Sequence, residues 1–236
     1  MAAVAKERPD PVLYPLAWDD AYRKGASSWR PGGASRSMGA AGKCRSEDVI
    51  HSGDGRALEL GAGNGAAAAE LARGECWRGG IACVDVSATA LRSFPKRLAA
   101  DSRILRLAGD ARRLPFRGGS FDFVNARHVL THTIGRDDEA ILGEAARVLV
   151  PGGKLSAEVF SVRDARGEKG ADLGAGLKLR EGGLVWRFYD ERGLERILRK
   201  AGFAKIEICS VRRAASYRGS ALTRESLAAV AEKSTG

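Results

Sequence analysis

The chain has 236 residues, of which 44% are hydrophobic and 29% charged, enough apolar material for one large domain and too much for a disordered chain. Thirty glycines carry no G-X-Y period, which excludes collagen. The 39 Lys and Arg against 29 Asp and Glu give a net charge of +10, which suits a polyanion such as RNA or an acidic small substrate, although the basic residues are spread out rather than blocked.

No run reaches the roughly 18 apolar residues of a membrane span, and Met1–Asp10 is charged where a secretion signal is apolar, so a cytoplasmic chain is expected. Cys44, Cys76, Cys83 and Cys209 form no CxxC pair and have no zinc-ligand spacing. They read as packing thiols of a reducing compartment, and no metal is expected.

Residues 1–54 differ from the rest. They hold Tyr14, Trp18, Tyr22 and Trp29 with four prolines, and read as a cap or lid with a turn or two of helix at Trp18–Lys24. From Arg56 a βα alternation begins. Strands are predicted at Arg56–Leu60, Gly80–Val84, Ile104–Ala108, Phe121–Ala126, Lys154–Phe160 and Ala204–Val211. Helices are predicted at Asn64–Arg73, Ala88–Leu98 with a disturbance at Pro95, Asp137–Leu149 and Glu191–Lys200. This spacing implies right-handed crossovers and a doubly wound α/β sheet over residues 55–212, with ligands beyond the carboxyl ends of the strands. Residues 161–189 read as a polar, glycine-rich insertion on that side, from which Arg187 and Tyr189 face the pocket or simply pack. Residues 213–236 read as a docking helix over Leu222–Ala231 or a tail.

Four segments following strands carry candidate chemistry. In Glu59-Leu60-Gly61-Ala62-Gly63-Asn64-Gly65 a strand enters a glycine turn that lets a ligand approach the backbone. Gly61-x-Gly63-x-x-Ala66 also fits the dinucleotide fingerprint, but Glu59 would repel a pyrophosphate and could instead take an ammonium group. Asp85 closes the second strand where an acid can bond a ribose diol, or can serve as a helix N-terminal acid. Asp110, in Gly109-Asp110-Ala111, can accept from an adenine amine. After the fourth strand come Asn125-Ala126-Arg127-His128, and His128 and His132 stand at i, i+4 on a presumed short helix. They read as general bases, metal ligands lacking the HExxH glutamate, or structural residues.

ELGAGNG, VDVS, GDARRLPF, SFDFV and RVLVPGG, in this order over Arg56–Val211, resemble the class I S-adenosylmethionine-dependent methyltransferases. The resemblance implies a Rossmann-like, seven-stranded, mostly parallel sheet with an antiparallel last strand, and S-adenosylmethionine as cofactor. It puts Glu59, Gly61, Ala62, Gly63 and Gly65 at the methionine end of the cofactor and Asp85 on the ribose. Val86, Asp110 and Ala111 fall at the adenine, and Asn125 and Arg127 where the fourth strand passes the sulfonium. Trp18-Asp19-Asp20-Ala21-Tyr22 with Trp29-Arg30 is similar to the lids of thiopurine and tellurite-resistance methyltransferases, which makes Tyr22, Trp29 and Arg30 lid contacts.

Asn125-Ala126-Arg127-His128 departs from the Asn/Asp-Pro-Pro-Tyr signature of amino-group methylation, so a small or medium-sized acceptor is expected, with positioning as the main source of catalysis. An RNA methyltransferase, a non-catalytic cofactor-binding partner and an NAD-dependent reductase are the alternatives. The acids at 59, 85 and 110 disfavour the non-catalytic partner, and Glu59, the Gly109-Asp110-Ala111 segment and the closing strand disfavour the reductase.

Overall fold

A computed structural model describes residues 14–24, 54–73, 77–180, 183–217 and 220–235. The parallel core consists of β1 (Arg56–Leu60), β2 (Gly80–Asp85), β3 (Ile104–Ala108), β4 (Phe121–Arg127) and β5 (Leu149–Ser161), arranged β3-β2-β1-β4-β5. Beyond β5 lies β10 (Ser220–Lys233), antiparallel to β5, and beyond that β9 (Phe203–Tyr217), antiparallel to β10. These seven strands make the mostly parallel, Rossmann-like sheet with one antiparallel strand.

Alternation along each strand sends neighbouring side chains to opposite faces. Ala57, Ile81, Cys83 and Phe123 pack on one face with Trp77 and with Ala68 and Leu71 of α2 (Ala66–Arg73). Leu58, Leu60, Val84, Val124 and Ala126 pack on the other, against α5 (Asp137–Val148) and α6 (Glu191–Lys200). Both faces are covered, which is why Ile81–Val84 of β2 reads as an unbroken apolar run. Between β2 and β3, Ser87 caps α3 (Ala88–Arg92) by accepting from the Ala90 amide at 3.1 Å. Pro95 ends that helix and begins the short α4 (Lys96–Ala99).

Three sequence expectations are revised. The segment expected over 213–236 as a helix or tail is strand where it is described, because Ser226–Glu232 pair with Lys154–Phe160 in the middle of the sheet. Alanine favours helix in isolation, but Leu227, Ala229 and Ala231 are almost fully buried at every second position, and the open edge of β5 decides the outcome. The antiparallel strand is therefore β10, and Ala204–Val211 lies in β9, parallel to β5. Residues 161–189 are not an irregular loop. They form a 3-10 turn (Ala165–Glu168) and an antiparallel ribbon of β6 (Ala171–Gly174), β7 (Leu177–Leu179) and β8 (Val185–Tyr189). β8 pairs with Phe160 and Ser161 on the side that β4 vacates after Arg127. No described helix is long and apolar enough to cross a membrane.

Replacing Leu227 with Ala should cost about 2–5 kcal/mol of stability, the range for emptying a buried leucine site. Deleting residues 220–236 should abolish cooperative unfolding. Both are measured by urea denaturation.

Candidate active site

The carboxyl ends of β1, β2 and β4 meet in one cleft. After β1 the chain turns through Gly61 and Gly63, both at positive φ (68° and 55°), with the Gly61 and Ala62 amides donating to the Val84 carbonyl at 2.9 and 3.1 Å. The positive φ of Gly63 favours glycine there, and a Cβ would also lie 2.6 Å from the Tyr22 hydroxyl, which would have to shift.

Two acids flank this turn. Asp85, buried at the end of β2, accepts from the Gly63 amide through Oδ2 and from the Ser87 amide through Oδ1, both at 2.8 Å. Burial raises its pKa, yet each oxygen retains a second lone pair that a diol could use. Glu59 is 1% exposed and accepts from Asn125 Nδ2 at 2.6 Å. It pairs with no cation among the described residues, and burial pushes its pKa up to about 8. A buried carboxylate short of a cation beside a turn with no Cβ fits the ammonium end of an amino-acid ligand.

The other expected contacts are distributed differently. Asp110 is engaged by its own loop, accepting from the Arg112 amide, Nε and Nη2 at 2.7–3.0 Å, while Arg112 also reaches Asp137. Ala111 packs against the core. Val86 is 39% exposed at the end of β2, open for a ring to cover. Asn125 Nδ2 donates to Glu59 at 2.6 Å. Arg127 turns instead to Glu70 of α2 at 2.8 Å and to Glu158 at 3.9 Å. Trp29 and Arg30 lie outside the described residues.

His128 and His132 do not share a helix. His128 is left-handed (φ 62°), and only Leu130–His132 form a 3-10 turn. Both rings nevertheless converge on Phe160, with centroids 5.1 and 5.9 Å away. The His128 Nε2 lies 3.7 Å from Glu158, whose carboxyl is held low, at about 2, by His128, Arg213 and Arg127 against the effect of burial. The His132 Nδ1 lies 3.1 Å from the Val185 carbonyl. A carbonyl only accepts, so Nδ1 carries the proton and the lone pair is on Nε2. Burial lowers both imidazoles to about 4, so they are neutral at pH 7. Among the described residues no third group joins them to hold a metal.

Sequence reasoning left open the two devices that position these rings. α1 (Tyr14–Arg23) crosses the cleft, with Asp19 Oδ1 accepting from the Ser87 hydroxyl at 2.5 Å and the Thr89 amide at 3.1 Å, and the Trp18 ring edge-on to His132 at 4.6 Å. On the far side Tyr189 donates to the Leu130 carbonyl at 3.0 Å and Arg187 to the Gly135 carbonyl, so both brace the loop that carries His132. Trp186 meets Phe160 at 5.4 Å, and the Arg166 guanidinium lies 3.8 Å above the Phe160 ring. The Trp18-Asp19 pair was visible as an aromatic-acid start, but its partners lie some seventy and more residues away.

Residues 58–157 match the methyltransferase-domain family. The demethylmenaquinone methyltransferase of Mycolicibacterium gilvum is 37% identical over 106 residues, 45% of this chain and 42% of that one. The same enzyme of Mycobacterium marinum is 36% identical over 117 residues, 50% and 46% of the two chains. The chain thus spans less than half the length of these relatives. A SAM-dependent methyltransferase of Methanosarcina mazei has the same fold, with a TM-score of 0.65 and 20% identity over 80% of this chain and 97% of that one. So does the 1,6-didemethyltoxoflavin-N1-methyltransferase of Burkholderia thailandensis, solved with 1,6-didemethyltoxoflavin and S-adenosylhomocysteine bound. Its TM-score is 0.69 at 18% identity, over 99% and 93% of the chains.

An acid whose pKa is higher in the folded than in the unfolded chain binds more protons when folded, so its stability contribution falls as pH rises from 4.5 to about 8. Glu59→Gln should therefore be more stable than the wild type at pH 8, by about 1–3 kcal/mol, with little difference at pH 4.5. Thermal unfolding at the two pH values checks this.

Proposed function

We propose that this chain, whose residues 58–157 match the methyltransferase-domain family, is a class I S-adenosylmethionine-dependent methyltransferase that transfers a methyl group to a small, flat acceptor. The observation that carries the reading is the pair of buried acids at the carboxyl ends of β1 and β2, one on each side of a glycine turn at positive φ. S-adenosylmethionine, the cofactor of this domain class, supplies a methyl group already activated on a sulfonium, so the protein has only to bind, orient and take up a proton.

Glu59 would hold the amino end of the cofactor and Asp85 its ribose hydroxyls, with Val86 under the adenine. Asp110 is tied to Arg112, so the adenine edge falls to the backbone around Ala111. α1 covers the cleft, with Tyr22 over Gly63, and keeps water from the reacting atoms.

His132 is the base we favour. Its Nδ1–H is fixed on Val185, its Nε2 carries the lone pair, and it is neutral at working pH. An acceptor hydroxyl or amine at Nε2 would give up its proton there as its heteroatom takes the methyl. His128, beside Glu158, would help shape the same wall. Trp18, Phe160 and Trp186 around the imidazoles suit a planar ring. The curated relatives are named for demethylmenaquinone, and the Burkholderia thailandensis neighbour binds 1,6-didemethyltoxoflavin, so quinol-type and fused heteroaromatic rings are the acceptors to test first.

The test is S-adenosylhomocysteine production from S-adenosylmethionine with a panel of soluble naphthoquinols and pteridine-like rings. Turnover that requires one of these rings supports the reading. Turnover with none, in a protein that binds the cofactor, removes the flat acceptor. His132→Ala should lose roughly 100- to 10,000-fold in kcat while keeping its affinity for S-adenosylhomocysteine. Asp85→Ala should weaken that affinity by about 1.5–3 kcal/mol, as measured by calorimetry.

A further inference from the structure

We infer that Asn125 is a positioning residue, setting the affinity for the amino-acid half of the cofactor through Glu59 without touching the cofactor itself. This rests on the methyltransferase reading above. Glu59 and Asn125 are register partners in β1 and β4, and both point to the α2 face, as Ala57 and Phe123 do two residues earlier. They are 1% and 2% exposed and joined at 2.6 Å.

The chemistry of the neighbour is what matters. A lysine or arginine at 125 would neutralise Glu59 and occupy the place of an incoming ammonium. An apolar residue would leave a buried carboxyl that takes a proton instead of keeping its charge. An amide donates one hydrogen bond, favours the charged form and brings no charge of its own.

The surroundings support this division of labour. The charged groups facing Glu59 are Arg127 from β4, Glu70 from α2 and Asp85 from β2, and the Cys83 thiol of β2 is adjacent. Arg127, on the same face as Asn125, is drawn off by Glu70 at 2.8 Å and by Glu158. The nearest cation is thus committed elsewhere, and the one direct hydrogen bond to Glu59 among the described residues comes from Asn125.

The test compares two nucleosides by calorimetry. S-adenosylhomocysteine carries the amino-acid group, whereas 5′-methylthioadenosine has the same adenosine and sulfur without it. Asn125→Ala should lose roughly ten- to hundredfold affinity for the first, the value of one hydrogen bond to a charged group, and stay within about twofold for the second. Asn125→Leu, close in size to asparagine, repeats the comparison if the alanine variant folds poorly. The affinity of either variant for S-adenosylhomocysteine should also recover more steeply than the wild type's between pH 7 and 8.5, as Glu59 gives up its proton. Equal losses for both nucleosides, or no loss for either, overturn the inference. Wild-type protein that binds neither overturns the methyltransferase reading, and the inference with it.

Discussion

The arrangement around the cleft depends on a carboxylate sealed in the interior beside an amide, with every neighbouring cation engaged elsewhere. Glu59 is buried as deeply as the leucines on either side of it, no cation among the described residues pairs with it, and burial pushes its carboxyl up to about 8. Such a group costs free energy in the ligand-free protein and regains it when a cation of the right shape arrives. The sheet tolerates this because β1 is an interior strand, with β2 on one side and β4 on the other, and buried apolar side chains pack both of its faces. The glycine turn, the Asp85 bonds to Gly63 and Ser87, and the diversion of Arg127 to Glu70 all keep that position open.

The histidine side of the site is built from elements distant in sequence. β8 continues the sheet beside the end of β5, and its Val185 carbonyl fixes the tautomer of His132. Tyr189 and Arg187 brace the loop after β4 from beneath, and α1 reaches it from above through Trp18. The insertion therefore acts as a wall that orients the imidazoles, and the latch from Asp19 to Ser87 and Thr89 ties the covering helix to the loop that holds Asp85. The side that holds Glu59 and Asp85 and the side that holds the histidines share one frame. Much of the positive charge, meanwhile, is used internally, as in Arg112 with Asp110 and Asp137, Arg147 with Glu144 and Arg213 with Glu158.

The parallel half of the fold was legible in the sequence, because β1 to β4, α2, α5 and α6 have both the apolar pattern and local stop signals that their packing requires. Glu59 and Asp85 were legible for a related reason: a charge at the end of an apolar strand has few structural uses. The pairing of Asn125 with Glu59 was not, since the two lie 66 residues apart and only the β1–β4 register brings them together. The pairing of Asp110 with Arg112 was hidden although they are two residues apart, because the loop geometry had to be known first.

The last strand shows where sequence runs out. Leu222–Ala231 is rich in alanine and compatible with an amphipathic helix, and nothing local marks it as the strand between β5 and β9. What the sequence by itself determined was the order of βα units, the glycine turn and the acids that follow strands, all written in short-range spacing. The tertiary structure decided the antiparallel strand, the ribbon beside β5, the separation of His128 from a helix and the sharing of partners among buried charges. Those outcomes depend on which distant edges and side chains meet, and local propensity carries no information about that.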